Sequence, residues 1–143
     1  KDIGLDFVKQ KEIPAIKGEA TRVSQVVANL IGNALKYTPP GGTVSVYTRL
    51  QDGGAELEVA DSGPGITDAD REKVFRRFWR GSAKATGGEP STGLGLFICR
   101  EIVDLYGGKI WFESKSGSGS TFHVFWPAAN SKGNTKDATT AKP

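Results

Sequence analysis

The strongest constraint on this chain lies between Val23 and Asp61. Val23, Val26, Val27, Leu30, Ile31, Ala34 and Leu35 recur at i, i+3, i+4, i+7, i+8, i+11 and i+12, the apolar stripe of a helix with one buried side. Thr38-Pro39-Pro40-Gly41-Gly42 stops that helix, because proline supplies no N–H and clashes with the preceding turn. Residues 43–50 and 55–61 then alternate apolar and polar around Gln51-Asp52-Gly53-Gly54, which predicts an antiparallel hairpin. A one-sided helix followed by one-sided strands must bury both apolar faces against each other, so the chain needs two layers.

The remaining segments extend the pattern. Residues 5–9 and 15–17 read as short strands ahead of the helix, with Pro14 confining the second to an edge or a strand start. A short helical segment is expected over 68–78. Residues 80–92 hold glycine, proline and small polar residues without hydrophobic period, the composition of a mobile loop. Residues 93–106 form a second helix, closed by Gly107-Gly108 as a C-cap, and strands over 109–114 and 120–126 flank a turn. The fold class is therefore α/β, a two-layer α/β sandwich with a mixed sheet and its helices packed on one face. One domain is expected over 1–128 and a disordered tail over 129–143, which lacks Leu, Ile, Val and aromatic residues.

Charge and cysteine content exclude several classes. The net charge is +3, but the tail carries three lysines against one aspartate, so the body is left at +1. That offers no basic stripe for nucleic acid. A single cysteine, Cys99, excludes an internal disulfide, and with a single histidine it excludes a Cys/His zinc site. No apolar run approaches the ~20 residues that span a bilayer. The chain opens on Lys1-Asp2-Ile3-Gly4 and contains no methionine, so it reads as a piece of a longer protein.

Three places carry residues suited to chemistry. On the first helix Arg22, Gln25, Asn29, Asn33 and Lys36 fall in a strip about 80° wide that borders the apolar arc. Amide oxygens suit a hard cation such as Mg²⁺, and a lysine suits phosphate. Taken alone, the strip could equally be a solvated helix face. Asp61-Ser62-Gly63-Pro64-Gly65-Ile66 ends a half-buried strand in an acceptor-only carboxylate, beside glycines that let backbone approach a ligand. Ser91-Thr92-Gly93-Leu94-Gly95-Leu96 opens the second helix, where backbone N–H groups and the helix dipole favour an anion.

In order and spacing these segments resemble the histidine-kinase catalytic domain. Asn29-Leu30-Ile31-Gly32-Asn33-Ala34-Leu35-Lys36-Tyr37-Thr38-Pro39 resembles its N box, and Asp61-Ser62-Gly63-Pro64-Gly65-Ile66 its G1 box. Val74-Phe75-Arg76-Arg77-Phe78-Trp79-Arg80 resembles its F box and Thr92-Gly93-Leu94-Gly95-Leu96 its G2 box. Gly117-Ser118-Gly119-Ser120-Thr121-Phe122 looks like the closing glycine motif. The resemblance covers residues 3–127 and extends to the superfamily shared with DNA gyrase, the Hsp90 chaperones and the MutL repair proteins, which is built on the Bergerat sandwich.

The resemblance implies a set of roles. Asn33, helped by Asn29, would hold Mg²⁺ against the ATP phosphates, Lys36 would contact phosphate, and Tyr37 would lie near adenine. Asp61 would accept from the adenine amino group, with Gly63 and Gly65 letting the base sit against backbone and Ile66 beside it. Thr92, Gly93, Leu94, Gly95 and Leu96 would offer the helix start to the phosphates, and Arg80 would act from the lid. Phe75 and Phe78 would anchor that lid in the core, and Thr121 would reach the adenine site through its hydroxyl or a water. Departures are small: Glu19 stands where the family often has Asp, and Ser91 where a glycine often precedes the Thr-Gly pair.

Residue 29 discriminates between reactions. Hydrolysing members of the superfamily carry a glutamate there to activate water; this chain has Asn29, and a carboxamide is no general base. Transfer to a protein nucleophile is therefore the expected reaction, and the resemblance implies that the nucleophile is a histidine. The acceptor would sit in a dimerisation domain outside this chain, with a response regulator downstream, and the catalytic piece is expected to be monomeric and cytoplasmic. The alternatives are a serine-directed kinase of the anti-sigma type and a module that senses nucleotide without catalysis. The sole histidine, His123, alternates out of phase with Phe122, Val124 and Trp126 and is expected to be plain surface. Cys99 is expected to be a packed small hydrophobe.

Overall fold

A computed structural model describes residues 3–9, 18–79 and 93–129. The strand expected over 15–17, the loop over 80–92 with Arg80 and Thr92, and the tail beyond residue 129 lie outside the described residues.

Eight elements follow the expected order. Strand β1 (Gly4–Lys9) leads to helix α1 (Ala20–Tyr37), hairpin strands β2 (Thr43–Gln51) and β3 (Gly54–Asp61), and a 3₁₀ segment (Asp68–Lys73). Helix α2 (Gly95–Leu105) and strands β4 (Lys109–Ser114) and β5 (Ser120–Pro127) complete the chain. The sheet runs β1-β2-β3-β5-β4, with β1 parallel to β2 and every other pair antiparallel. The parallel pair β1 and β2 is joined through helix α1, the crossover that a parallel connection requires. The mixed sheet predicted from element order is the one observed.

Inward residues of the central strands meet both helices on one face. Val44 and Val46 of β2, Leu57 and Val59 of β3, and Phe122, Val124 and Trp126 of β5 pack with Val26, Leu30 and Ala34 of α1. Helix α2 adds Leu96, Cys99, Ile102 and Val103 to the same cluster. Thr38 ends α1: both its N–H and its hydroxyl donate to the Ala34 carbonyl, at 3.1 and 2.7 Å, and Pro39-Pro40 bars continuation. No helix of the described residues is long and apolar enough to cross a membrane.

Cys99 is buried with its sulfur toward the Val26 carbonyl, as a packed hydrophobe should be. Burial pushes its thiol up to about 12. The thiol therefore stays protonated at neutral and mildly alkaline pH, and the reactive thiolate is scarce. Iodoacetamide at pH 8 should leave the native protein unmodified and alkylate it once denaturant is added; rapid native alkylation, read by mass spectrometry, would contradict this burial.

Two expectations need correction. Phe75 joins the core edge-on to Phe112 and Phe122, with centroids 6.0 and 6.2 Å away, but Phe78 is 65% exposed. Phe78 adopts a left-handed φ of 67°, which turns its side chain out while its N–H donates to the Gly93 carbonyl at 2.7 Å. Trp79 packs against the core in its place. His123 is not plain surface either. Only 8% of it is exposed, although it lies on the face of the sheet opposite the helices.

Candidate nucleotide-binding site

Sheet alternation breaks down at one level, and that level builds one end of the site. Asp61, Ser120 and Ser114 occupy the inward register of β3, β5 and β4, where the preceding inward positions are Val59, Phe122 and Phe112. They pair across the strands, Asp61 with Ser120 and Ser120 with Ser114, so the apolar layer ends in a polar one. The Ser114 hydroxyl lies 2.9 Å from that of Ser120, donates to the Gly119 carbonyl at 3.0 Å and accepts the Ile66 N–H at 2.7 Å. It thereby ties the loop after β3 to the β4–β5 turn.

The Asp61 carboxyl receives the Gly63 N–H on Oδ1 at 2.9 Å. Burial pushes the carboxyl above its ordinary range, and the N–H groups of Gly63 and Ser120 pull it partly back. A Cβ on Gly63 would stand 3.0 Å from both Asp61 Oδ1 and the Tyr37 carbonyl, so a glycine there lets the end of β3 close on the end of α1. Gly65 serves the fold differently: its φ is +77°, and a Cβ would lie 2.3 Å from the Lys115 carbonyl. The adjacent Pro64 carbonyl accepts the Gly117 N–H at 2.6 Å.

The other end of the site is where α1 meets α2. The Asn29 amide donates to the Gly95 carbonyl at 3.4 Å. With its amide nitrogen turned to the Gly95 carbonyl, Asn29 has its oxygen left to offer a ligand. Asn33 and Lys36 follow on the same strip, both half-buried, while Arg22 and Gln25 are exposed. Leu94 caps α2 and its carbonyl accepts the Ile98 N–H at 2.9 Å; the N–H groups of the first turn, at Gly95 and Leu96, have no partner within the helix itself. A Cβ on Gly95 would meet nothing nearer than Asn29 Cγ at 4.0 Å, so backbone there is open to an approaching group. Gly93 is confined instead, its φ +75° and a Cβ 2.6 Å from the Phe78 backbone.

Along helix α1, Asn29 thus stands at the start of α2 and Tyr37, eight residues and about 12 Å further on, at the loop after β3. Asn29 stands with Leu94, Gly95 and Leu96 at the first place and Tyr37 with Asp61 and Gly63 at the second, while Asn33 and Lys36 lie on the strip between. Thr121 does not join them. It pairs with Ala60 and alternates away from Ser120, so Ser120 rather than Thr121 lies in the Asp61 layer. Reading the glycine motif by its threonine missed both serines. The available signal was a serine at an inward register of β4 and of β5.

The fold is thus a two-layer sandwich in which an amide-and-lysine strip on α1 meets the start of α2 at Asn29. The profile of the histidine kinase-, DNA gyrase B- and HSP90-like ATPases matches residues 18–130, and the chain belongs to that family. The adaptive-response sensory kinase SasA of Thermosynechococcus vestitus is 35% identical over 139 residues, covering 89% of this chain and 36% of that kinase. The chain therefore spans about a third of that relative's length. The mycobacterial sensor histidine kinase MprB superposes with a TM-score of 0.76 at 32% identity, over 88% of this chain and 84% of that one. Histidine kinase ThkA, solved in complex with the response regulator protein TrrA, gives a TM-score of 0.71 at 30% identity, over 89% of this chain and 34% of that one. The sandwich is thus that of histidine-kinase catalytic domains.

Proposed function

We propose that the chain binds Mg²⁺-ATP along α1 and transfers the γ-phosphoryl group to a histidine of a dimerisation domain outside this chain, for relay to a response regulator. The observation that carries this reading is the placement of α1. One end of the site holds Asn29 against the start of α2, and the other closes on the Asp61–Gly63 turn. A nucleoside triphosphate has the same two ends, an acceptor-seeking exocyclic amine and a polyanion.

The residues fit both groups. Asp61 is a desolvated acceptor for the amine, already oriented by Gly63. Asn29 and Asn33 present carboxamides one turn apart that would hold the metal, whose charge would offset that of the phosphates. The first-turn N–H groups of α2 add positive potential at that end, and Lys36, nearer Tyr37 on the strip, would reach back along α1 toward the same polyanion. Arg80 and Thr92, outside the described residues, complete the proposed set. Phosphoryl transfer asks mainly for positioning and charge stabilisation, which these groups supply without a general base.

His123 is unsuited as the acceptor. It lies on the sheet face opposite α1 and α2, with both ring nitrogens directed at carboxylates. Mixing the chain with a separately made dimerisation domain and γ-labelled ATP should put acid-labile, alkali-stable label on that domain. Acid-stable label would indicate a serine-directed kinase, and tight ATP binding without label a nucleotide sensor.

A further inference from the structure

The open face of the sheet holds a buried polar cluster that the nucleotide site does not use. His123 Nδ1 lies 2.9 Å from Glu56 Oε2 and 3.5 Å from Glu58 Oε1, and His123 Nε2 lies 3.0 Å from Glu113 Oε1. The side chains of His123 and Glu56 are each 10% exposed. Three carboxylates thus face one imidazole. A neutral imidazole carries a single N–H, so if Nε2–H donates to Glu113, the Nδ1 lone pair is left aimed at two carboxylate oxygens. Nine-tenths buried, that arrangement is costly unless a second ring proton or a metal cation fills the Nδ1 side, where the carboxylate oxygens and the ring nitrogen converge. Arg49, the nearby cation on β2, pairs with Glu58 instead.

We propose that Glu56, Glu58 and His123 hold a divalent transition-metal ion of the zinc type. Their ligand atoms lie within 4.8 Å of one another. Zinc bonds nitrogen and carboxylate oxygen at about 2.1 Å, so tetrahedral ligands stand about 3.4 Å apart, close to the separations around Nδ1. Each of two ligands is also held from outside, as metal ligands usually are. Glu113 accepts from Nε2 and fixes the tautomer that exposes Nδ1, while Arg49 holds Glu58. Trp111 stacks on the His123 ring at 5.0 Å and 4°, which fixes its plane. The chain sites come from neighbouring strands: Glu56 and Glu58 two apart on β3, and His123 opposite Glu58 on β5. A bound ion would clamp β3 to β5 on the face without helices. Carboxylate and imidazole ligands favour zinc over magnesium, so this site is distinct in chemistry from the asparagine pair.

The test uses the full chain stripped of metal and titrated with Zn²⁺ against a chromophoric chelator. One equivalent should bind, and millimolar Mg²⁺ should not displace it. Co²⁺ should bind in its place and quench Trp111 fluorescence, with the quenching lost in Trp111→Phe. His123→Gln and Glu56→Gln should weaken Zn²⁺ at least 100-fold. Because those side chains are buried, Glu113→Gln is the second variant: that side chain is 75% exposed, and its loss should weaken Zn²⁺ about 10- to 100-fold without unfolding the chain. Asn33→Ala should bind Zn²⁺ like the parent. Absence of saturable binding, displacement by Mg²⁺, or parental affinity in both folded His123→Gln and Glu113→Gln would overturn the proposal.

Discussion

Asp61→Asn should bind ADP and ATP roughly 5- to 150-fold more weakly while folding at least as stably as the parent. The carboxylate has two acceptor oxygens. One takes the Gly63 N–H, and the Ser120 N–H also points at the group, so acceptor capacity is left for an exocyclic amine. An asparagine has a single oxygen. Serving the backbone turns its NH₂ toward the amine, and serving the amine turns its NH₂ toward the backbone donors; either way a buried donor loses its acceptor, at about 1–3 kcal/mol.

Stability moves the other way. Burial raises the Asp61 carboxyl above its ordinary range, so the folded state binds this proton more tightly than the unfolded one. The favourable contribution is present at acid pH and is lost as pH rises through the raised value. At neutral pH the ionised group costs stability that a neutral asparagine does not. The variant's melting temperature without nucleotide should match or exceed the parent's at neutral pH, and the difference should shrink on acidification. Calorimetry showing unchanged ADP affinity would remove Asp61 from the adenine site, and a large loss of melting temperature would mean that its role is structural.

How much of this was legible in the sequence depends on the range of the interaction. Helix α1 and the β2–β3 hairpin follow from periodicity and from Thr38-Pro39-Pro40, because those signals are local. The strand order is not local. Nothing near β5 says that it inserts between β3 and β4, and that insertion is what brings Ser120 to Asp61. The motif pattern located the right turn, yet it pointed to Thr121, because only strand alternation decides which of two adjacent hydroxyls faces inward. Phe78 misled for a related reason: a left-handed backbone at an aromatic residue leaves no compositional trace, and Trp79 takes the core position. His123 was read correctly as facing away from the helices. Its burial comes from Trp111, Glu56 and Glu113, which alternation along β5 alone does not reveal.

The purified chain should bind ATP yet hydrolyse it at a rate near background. A general base is worth typically 10²–10⁴-fold, and the position where hydrolysing relatives place a glutamate holds Asn29. The geometry strengthens this expectation. The amide nitrogen of Asn29 is directed at the protein, toward the Gly95 carbonyl, so the residue is oriented by its donor. A glutamate there would bring an acceptor against the Gly95 carbonyl and disturb the start of α2. Asn29→Glu therefore mixes gain of a base with loss of the phosphate end, and the parent is the cleaner measurement. Coupled-assay turnover with no acceptor present should fall far below the ~1 s⁻¹ of a working enzyme. Addition of the dimerisation domain should consume ATP only to the extent that histidine is phosphorylated, because the phosphoryl group then has a nucleophile and water still has no base. Steady turnover near 1 s⁻¹ by the isolated chain would refute the kinase reading and place water activation on a residue other than Asn29.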